Sequence, residues 1–103
     1  MRPPDWLRRL DEADVQFIKR MVLASGSLKE LAAQYEVSYP TIRQRLDRII
    51  ERIRVTEDHP DDDEFESRVR ILVAENSLKP TIARDLLALH RQTTQLDTEM
   101  THD

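Results

Sequence analysis

Apolar residues recur at spacings of three and four along most of the chain, which is the period of amphipathic helices. Pro3-Pro4 gives an extended start, and Trp6, Leu7 and Leu10 follow in a short helical turn, with Trp6 capping an apolar core. Leu10, Asp14, Phe17, Met21 and Ala24 then form one row, supported by Ala13, Ile18 and Val22. This predicts a helix over 11–25, with Asp11 as N-cap and Gly26 as its stop. Ser27 followed by Glu30 reads as a capping box for a second helix, whose buried face is Leu28, Leu31, Ala32 and Tyr35. Ser38 caps a third helix, 39–54, and Pro40 fits just inside it because its missing N–H has no helical partner there anyway. Ile42, Leu46, Ile49, Ile50 and Ile53 make its stripe. No alternating strand pattern follows Arg54, so no β-wing is expected. Phe65, Val69, Leu72 and Val73 recur over a helix at 64–75; Asn76-Ser77 breaks it, and Pro80 restarts a last helix. Ile82, Ala83, Leu86, Leu87 and Leu89 continue that helix to about residue 95. The fold class is therefore all-α.

The second and third helices, joined by a tight turn, resemble a helix-turn-helix. Ala32 is small where the helices approach, Val37 plugs the turn, and Ile42 and Leu46 anchor the following helix. Glu36 holds a turn position where Gly is favoured because φ is commonly positive. On a wheel with steps of about 100°, Pro40, Thr41, Gln44, Asp47 and Arg48 lie opposite the apolar stripe of 39–54, flanked by Arg43 and Arg45. A helix that packs on one side and presents Arg and Gln from its N-terminal half suits the DNA major groove. The segments Gly26-Ser27-Leu28-Lys29-Glu30 and Val37-Ser38-Tyr39-Pro40-Thr41-Ile42-Arg43 resemble a family of short bacterial DNA-binding helix-turn-helix proteins. That resemblance covers roughly residues 5–55, with a weaker echo to about 90, and implies transcriptional regulation. Members of the family usually carry an N-terminal cysteine zinc ribbon. This chain has no cysteine, so no zinc site carries over.

The net charge of −4 looks wrong for a nucleic-acid partner until it is split. Residues 1–55 hold eleven Lys/Arg against eight Asp/Glu, or +3, and residues 56–103 hold five against twelve, or −7. The helix 39–54 carries five Arg against Asp47 and Glu51. The basic half can meet phosphate while the acidic half faces away. Residues 56–66 concentrate seven acidic groups around Pro60. A calcium loop would need a Gly at its sharp turn, and none is there, so the stretch reads as a solvated linker that ends in a helix N-cap.

Little else carries chemistry. One Gly excludes a Gly-rich phosphate loop, and His59, His90 and His102 share no motif, with His90 reading as a solvated edge residue. No Ser sits in a nucleophile-elbow context, and the acids at 61–64 are too crowded for tuned acid–base roles. The expectation is no enzyme, no cofactor and no metal. With no apolar run of about 18 residues and no signal segment, a cytoplasmic protein is expected.

Together these readings predict a DNA-binding domain at 1–55, an acidic linker at 56–62, a helical hairpin at 63–96 and a flexible tail at 97–103. Arg43, Gln44 and Arg48 would reach bases or phosphates, with Arg45 beside them, while Ser38, Tyr39 and Thr41 position the helix start on the backbone. The partner is double-stranded DNA, bound by a homodimer held through Phe65, Val69, Leu72, Val73, Ile82, Leu86 and Leu89; the competing outcome is a monomer in which the hairpin packs against the Ile49–Ile53 end of the third helix. The alternative is a protein-interaction adaptor with the same fold and an acidic C-terminal half.

Overall fold

Helix stop signals and N-caps divide the chain into six helices in a computed structural model that describes residues 2–100. They are α1 (Asp5–Arg8), α2 (Glu12–Leu23), α3 (Leu28–Tyr35), α4 (Tyr39–Asp58), α5 (Glu64–Ala74) and α6 (Pro80–Met100). The described residues contain no strand, and the all-α class holds. The chain forms two compact units, Met1–Asp61 and Asp62–Asp103.

Caps set the helix starts. Asp11 accepts the Asp14 N–H at 2.8 Å, Ser27 that of Glu30 at 3.1 Å, and Ser38 that of Thr41 at 3.3 Å. Each satisfies a donor that the first turn leaves orphaned. The reciprocal box expected at Ser27 is found instead at Asp63, whose carboxylate accepts the Glu66 N–H while Glu66 accepts the Asp63 N–H. The Glu30 carboxylate is turned toward Gln34, 3.5 Å away.

Three helices end in the same way, each with a non-glycine residue in the left-handed region: Ser25, Glu36 and Asn76, at φ of 54°, 56° and 60°. In each, that residue's N–H returns to the carbonyl three back, and the next N–H to the carbonyl five back. This is the Schellman arrangement, which satisfies carbonyls left open by the last turn. Helix α2 therefore ends at Leu23, and Ser25 takes the left-handed position expected of Gly26, which follows with φ of 80°.

The core of the first unit is aliphatic around one aromatic. Phe17, Leu31, Ile42 and Ile49 are buried almost completely, with Leu10, Ala24 and Ala32 beside them. Trp6, Met21, Tyr35, Leu46 and Ile53 pack against this cluster from its edge. Each fully buried large side chain contributes roughly 1.5–3 kcal/mol. Ala32 is small where α3 meets α4, as the turn requires. Val37, expected to plug the turn, is 41% exposed, because the Schellman turn carries it outward past the last residue of α3.

Helix α4 continues to Asp58, beyond Arg54 where the sequence reading ended it. The reason is Thr56, which extends the buried row of Ile42 and Ile49 by seven more residues and is itself buried. Its hydroxyl donates to the Arg52 carbonyl at 3.2 Å, so nothing polar is left unsatisfied. Pro60 then keeps His59 out of helical geometry, with φ −131° and ψ 66°.

In the second unit α5 packs along α6. Val69, Ile71 and Ala83 are buried, and the ring of Phe65 stacks on His90 with centroids 4.4 Å apart. His90 Nε2 also meets Asp63 Oδ2 at 2.6 Å, and Arg91 donates to Glu66 at 3.3 Å. His90 is thus a fixed tie between α6 and the start of α5, not a solvated edge residue. Asp62 accepts from Arg70 at 2.5 Å, so three acids of the stretch 56–66, Asp62, Asp63 and Glu66, are held in place. Helix α6 runs through Met100, where a flexible tail was expected from residue 97, because no Gly or Pro follows Pro80. Residues 101–103 of that expected tail lie outside the described residues. Among the described residues, no helix is long and apolar enough to cross a membrane.

Candidate nucleic-acid interface

The candidate surface is the N-terminal half of α4 and the turn that aims it. Glu36 in the left-handed region reverses the chain, and Ser38 caps α4 while its hydroxyl meets the Thr41 hydroxyl at 2.8 Å. Ile42, 1% exposed, pins the first turn of α4 into the core. The residues between are then forced outward: Tyr39, Thr41, Arg43, Gln44 and Arg48 are all exposed.

The seven residues singled out in the sequence do not all stand alike. Gln44 and Arg48 are one helical turn apart and, among the described residues, neither makes a hydrogen bond or ion pair. Arg43 is exposed and lies 3.4 Å from Asp47, a pairing worth little at such exposure. Tyr39 is 53% exposed at the helix start. Ser38 and Thr41 are joined to each other and to the backbone of the first turn.

Arg45 is placed differently. Its guanidinium lies 5.3 Å from the Phe17 ring centre and 5.4 Å from that of Tyr35, and it donates to the Ala13 carbonyl at 3.3 Å. Two aromatic faces and a carbonyl hold it against α2. Arg20 approaches Tyr35 too, at 4.9 Å.

Arg52 was not singled out, and it organises the same flank. It bridges Asp14 Oδ2 at 2.5 Å and Asp11 Oδ2 at 3.1 Å, with its side chain and that of Asp14 both nearly buried. The signal was present in the sequence: Asp14 falls on the buried row of α2, and a buried carboxylate needs a cation. The N–H of Asp14 bonded to the Asp11 carboxylate, together with Arg52, holds the Asp11 carboxyl below its usual value of 3.8.

Between α2 and α4 these groups border a concavity of about 290 Å³. Thr41, Gln44, Arg45 and Arg48 line it from α4, and Asp11, Ala13 and Asp14 from the start of α2. Arg52 is neutralised by two carboxylates and Arg45 is engaged, so among the described residues lining this concavity Arg48 is the cation left to meet an anion. The surface can offer a planar amide, a fork of N–H donors and hydroxyls along one edge of a helix.

The apolar residues assigned to a dimer are also uneven. Val69 is covered within the chain at 4% exposure, whereas Phe65, Ile82 and Leu89 are exposed and Leu72, Val73 and Leu86 half-buried.

No curated protein and no solved structure matches the chain. A family model does, over residues 10–56: a domain of unknown function, DUF2089, of helix-turn-helix type. The match begins at Leu10, ends at Thr56 and so spans the core of the first unit from one buried end to the other. Residues 10–56 are thus similar to the helix-turn-helix segment of that family, with α3 and α4 in the place of its two helices.

Proposed function

We propose that the first unit binds double-stranded DNA in a sequence-specific manner and that the protein is a bacterial transcriptional regulator. The observation that carries this reading is the pair Gln44 and Arg48, exposed and unengaged one turn apart on a helix whose opposite face is buried. A Gln amide matches the donor–acceptor pair on adenine in the major groove, and an Arg fork matches guanine. Arg43 extends the contact to the other side of the helix, while Ser38, Tyr39 and Thr41 meet the phosphate backbone and fix the register. Arg45 supports them by holding α4 against α2, and Arg52 does the same one turn pair further on. The family match over this segment is of helix-turn-helix type, which favours the same reading.

A single helix-turn-helix reads only a short site, and a two-fold dimer would present two recognition helices to half-sites about 34 Å apart. The second unit, with its exposed apolar residues and acidic charge, is the natural place for that contact. Selection from a pool of random duplexes tests the reading. The expected result is an enriched motif, palindromic in the dimer case, and recovery of unselected sequence would contradict it.

A further inference from the structure

Tyr35, the last residue of α3, has two cations on one ring. The Arg20 guanidinium lies 4.9 Å from the ring centre and that of Arg45 5.4 Å. The two are therefore separated by no more than roughly one screening length, ~10 Å at 0.1 M salt, and repel each other. Among the described residues, neither forms an ion pair with a carboxylate. Arg45 donates to the Ala13 carbonyl, a neutral group that leaves its charge in place. The Arg20 side chain makes no hydrogen bond among the described residues, so its N–H donors are open.

Other arginines of this unit are held differently. Arg8, Arg43 and Arg52 each lie against a carboxylate. At Tyr35 the holding group is an aromatic face, which positions a guanidinium without cancelling its charge. The platform is itself fixed, since the half-buried Tyr35 ring stacks on the buried Phe17 with centroids 6.0 Å apart. It also adjoins the proposed DNA surface. Arg45 lines the concavity together with Gln44 and Arg48, and Tyr35 carries Arg20 on from there.

We propose that Arg20 is a contact to a DNA backbone phosphate, held in place on Tyr35, with the Arg45 charge adding to the field that draws the phosphate in. A guanidinium fork matches two phosphate oxygens. One that already rests on a ring loses less side-chain freedom on binding. The proposal rests on the DNA-binding reading and adds to it a contact from α2, outside the α3–α4 pair, that carries affinity and no sequence information.

Salt titrations of a fluorescent duplex with the full chain test it. Arg20→Ala should lower the slope of log affinity against log salt by about 1 and weaken binding to selected and unrelated duplexes alike. Lys19→Ala removes an equal charge from the neighbouring exposed position and should leave the slope unchanged. Tyr35→Phe keeps the ring and should bind as the wild type does. Tyr35→Leu keeps every charge but frees Arg20, and should bind about 2- to 10-fold more weakly at one salt concentration. Circular dichroism matching the wild type shows that each variant is folded; if Tyr35→Leu is not, the comparison of Arg20→Ala with Lys19→Ala decides alone. A wild type that binds no duplex overturns the DNA reading and this contact with it. A wild type that binds, with Arg20→Ala changing the slope no more than Lys19→Ala, overturns the contact and leaves that reading standing. Selection of a different motif by Arg20→Ala overturns it as well, since a phosphate contact carries no base information. A folded Tyr35→Leu with wild-type affinity overturns the part played by the ring.

Discussion

On the proposed reading, sequence specificity rests on Gln44. Its amide lies on the outward face of α4, so Gln44→Ala should leave the fold intact and relax sequence preference by about 1–3 kcal/mol at one base position. An unchanged selected motif in the variant would remove Gln44 from the reading. Arg52 has the opposite role, and Arg52→Ala should cost about 3 kcal/mol in urea unfolding because it strands Asp14 in a buried site. A loss below about 0.5 kcal/mol would mean that the pair is not buried in solution. Asp11 adds a pH dependence. Its carboxyl is held below 3.8, first by the Asp14 N–H and further by Arg52, so the folded state binds that proton less readily than the unfolded chain. The stabilisation is then complete above the unfolded value and is lost as pH falls through about 4 and below. Asp11→Asn should flatten part of the fall in melting temperature between pH 5 and pH 3, and parallel curves would contradict the assignment. At this scale the caps Asp11, Ser27 and Ser38 were legible, because a side-chain cap is a local matter of residue type and spacing. The buried Asp14 signalled that some cation must meet it, but that the cation is Arg52, and that Arg45 is engaged, was not legible, because a helix wheel places both on the solvent edge of α4 and only the packing of α2 beside that edge encloses them.

The turn between α3 and α4 carries the cost of its sequence at the level of elements. Glu36 in the left-handed region is strained by roughly 1–2 kcal/mol relative to a helical residue. Glycine there removes the strain but loses more chain entropy on folding, roughly 0.5–1 kcal/mol. Glu36→Gly should therefore stabilise by about 0.5 kcal/mol and raise the melting temperature by about 3 °C. A lower melting temperature would show that the Glu side chain contributes something that the turn geometry does not reveal. The departure from Gly at this position was plain in the sequence, and the turn keeps its positive φ in spite of it. The end of α2 was harder to place. Gly26 looked like the stop, but Ser25 takes the left-handed position and Gly26 follows it. Helix α4 is longer than its apolar stripe indicates, since Thr56 counts as polar by type yet packs as an apolar residue once its hydroxyl is tied to the Arg52 carbonyl. The acidic stretch illustrates the same limit, because charge density suggests solvation while Asp62 and Asp63 are held by Arg70 and His90.

For the whole molecule, the basic 1–55 lies inside the first unit, but Glu57, Asp58 and Asp61 lie there too and bring that unit to eleven Lys/Arg against eleven Asp/Glu, while the second holds five against nine, so the positive charge belongs to the α4 surface and not to the unit as a whole. The all-α class and the helix-turn-helix were legible because helical periodicity and caps repeat the same message at each element. What covers the second unit was not, because an exposed apolar face names no partner without the geometry that leaves it uncovered. On the proposed reading the first unit meets DNA through phosphates and through Gln44 and Arg48 of α4. Titrating a fluorescent duplex with wild type and Arg48→Ala across 50–200 mM salt (a range typical for such titrations) tests it most directly. The expected result is an affinity that falls linearly on logarithmic axes, with a slope smaller by about 1 for Arg48→Ala if Arg48 meets a phosphate. Binding by the wild type that is absent at low salt, or that does not change with salt, would contradict the account.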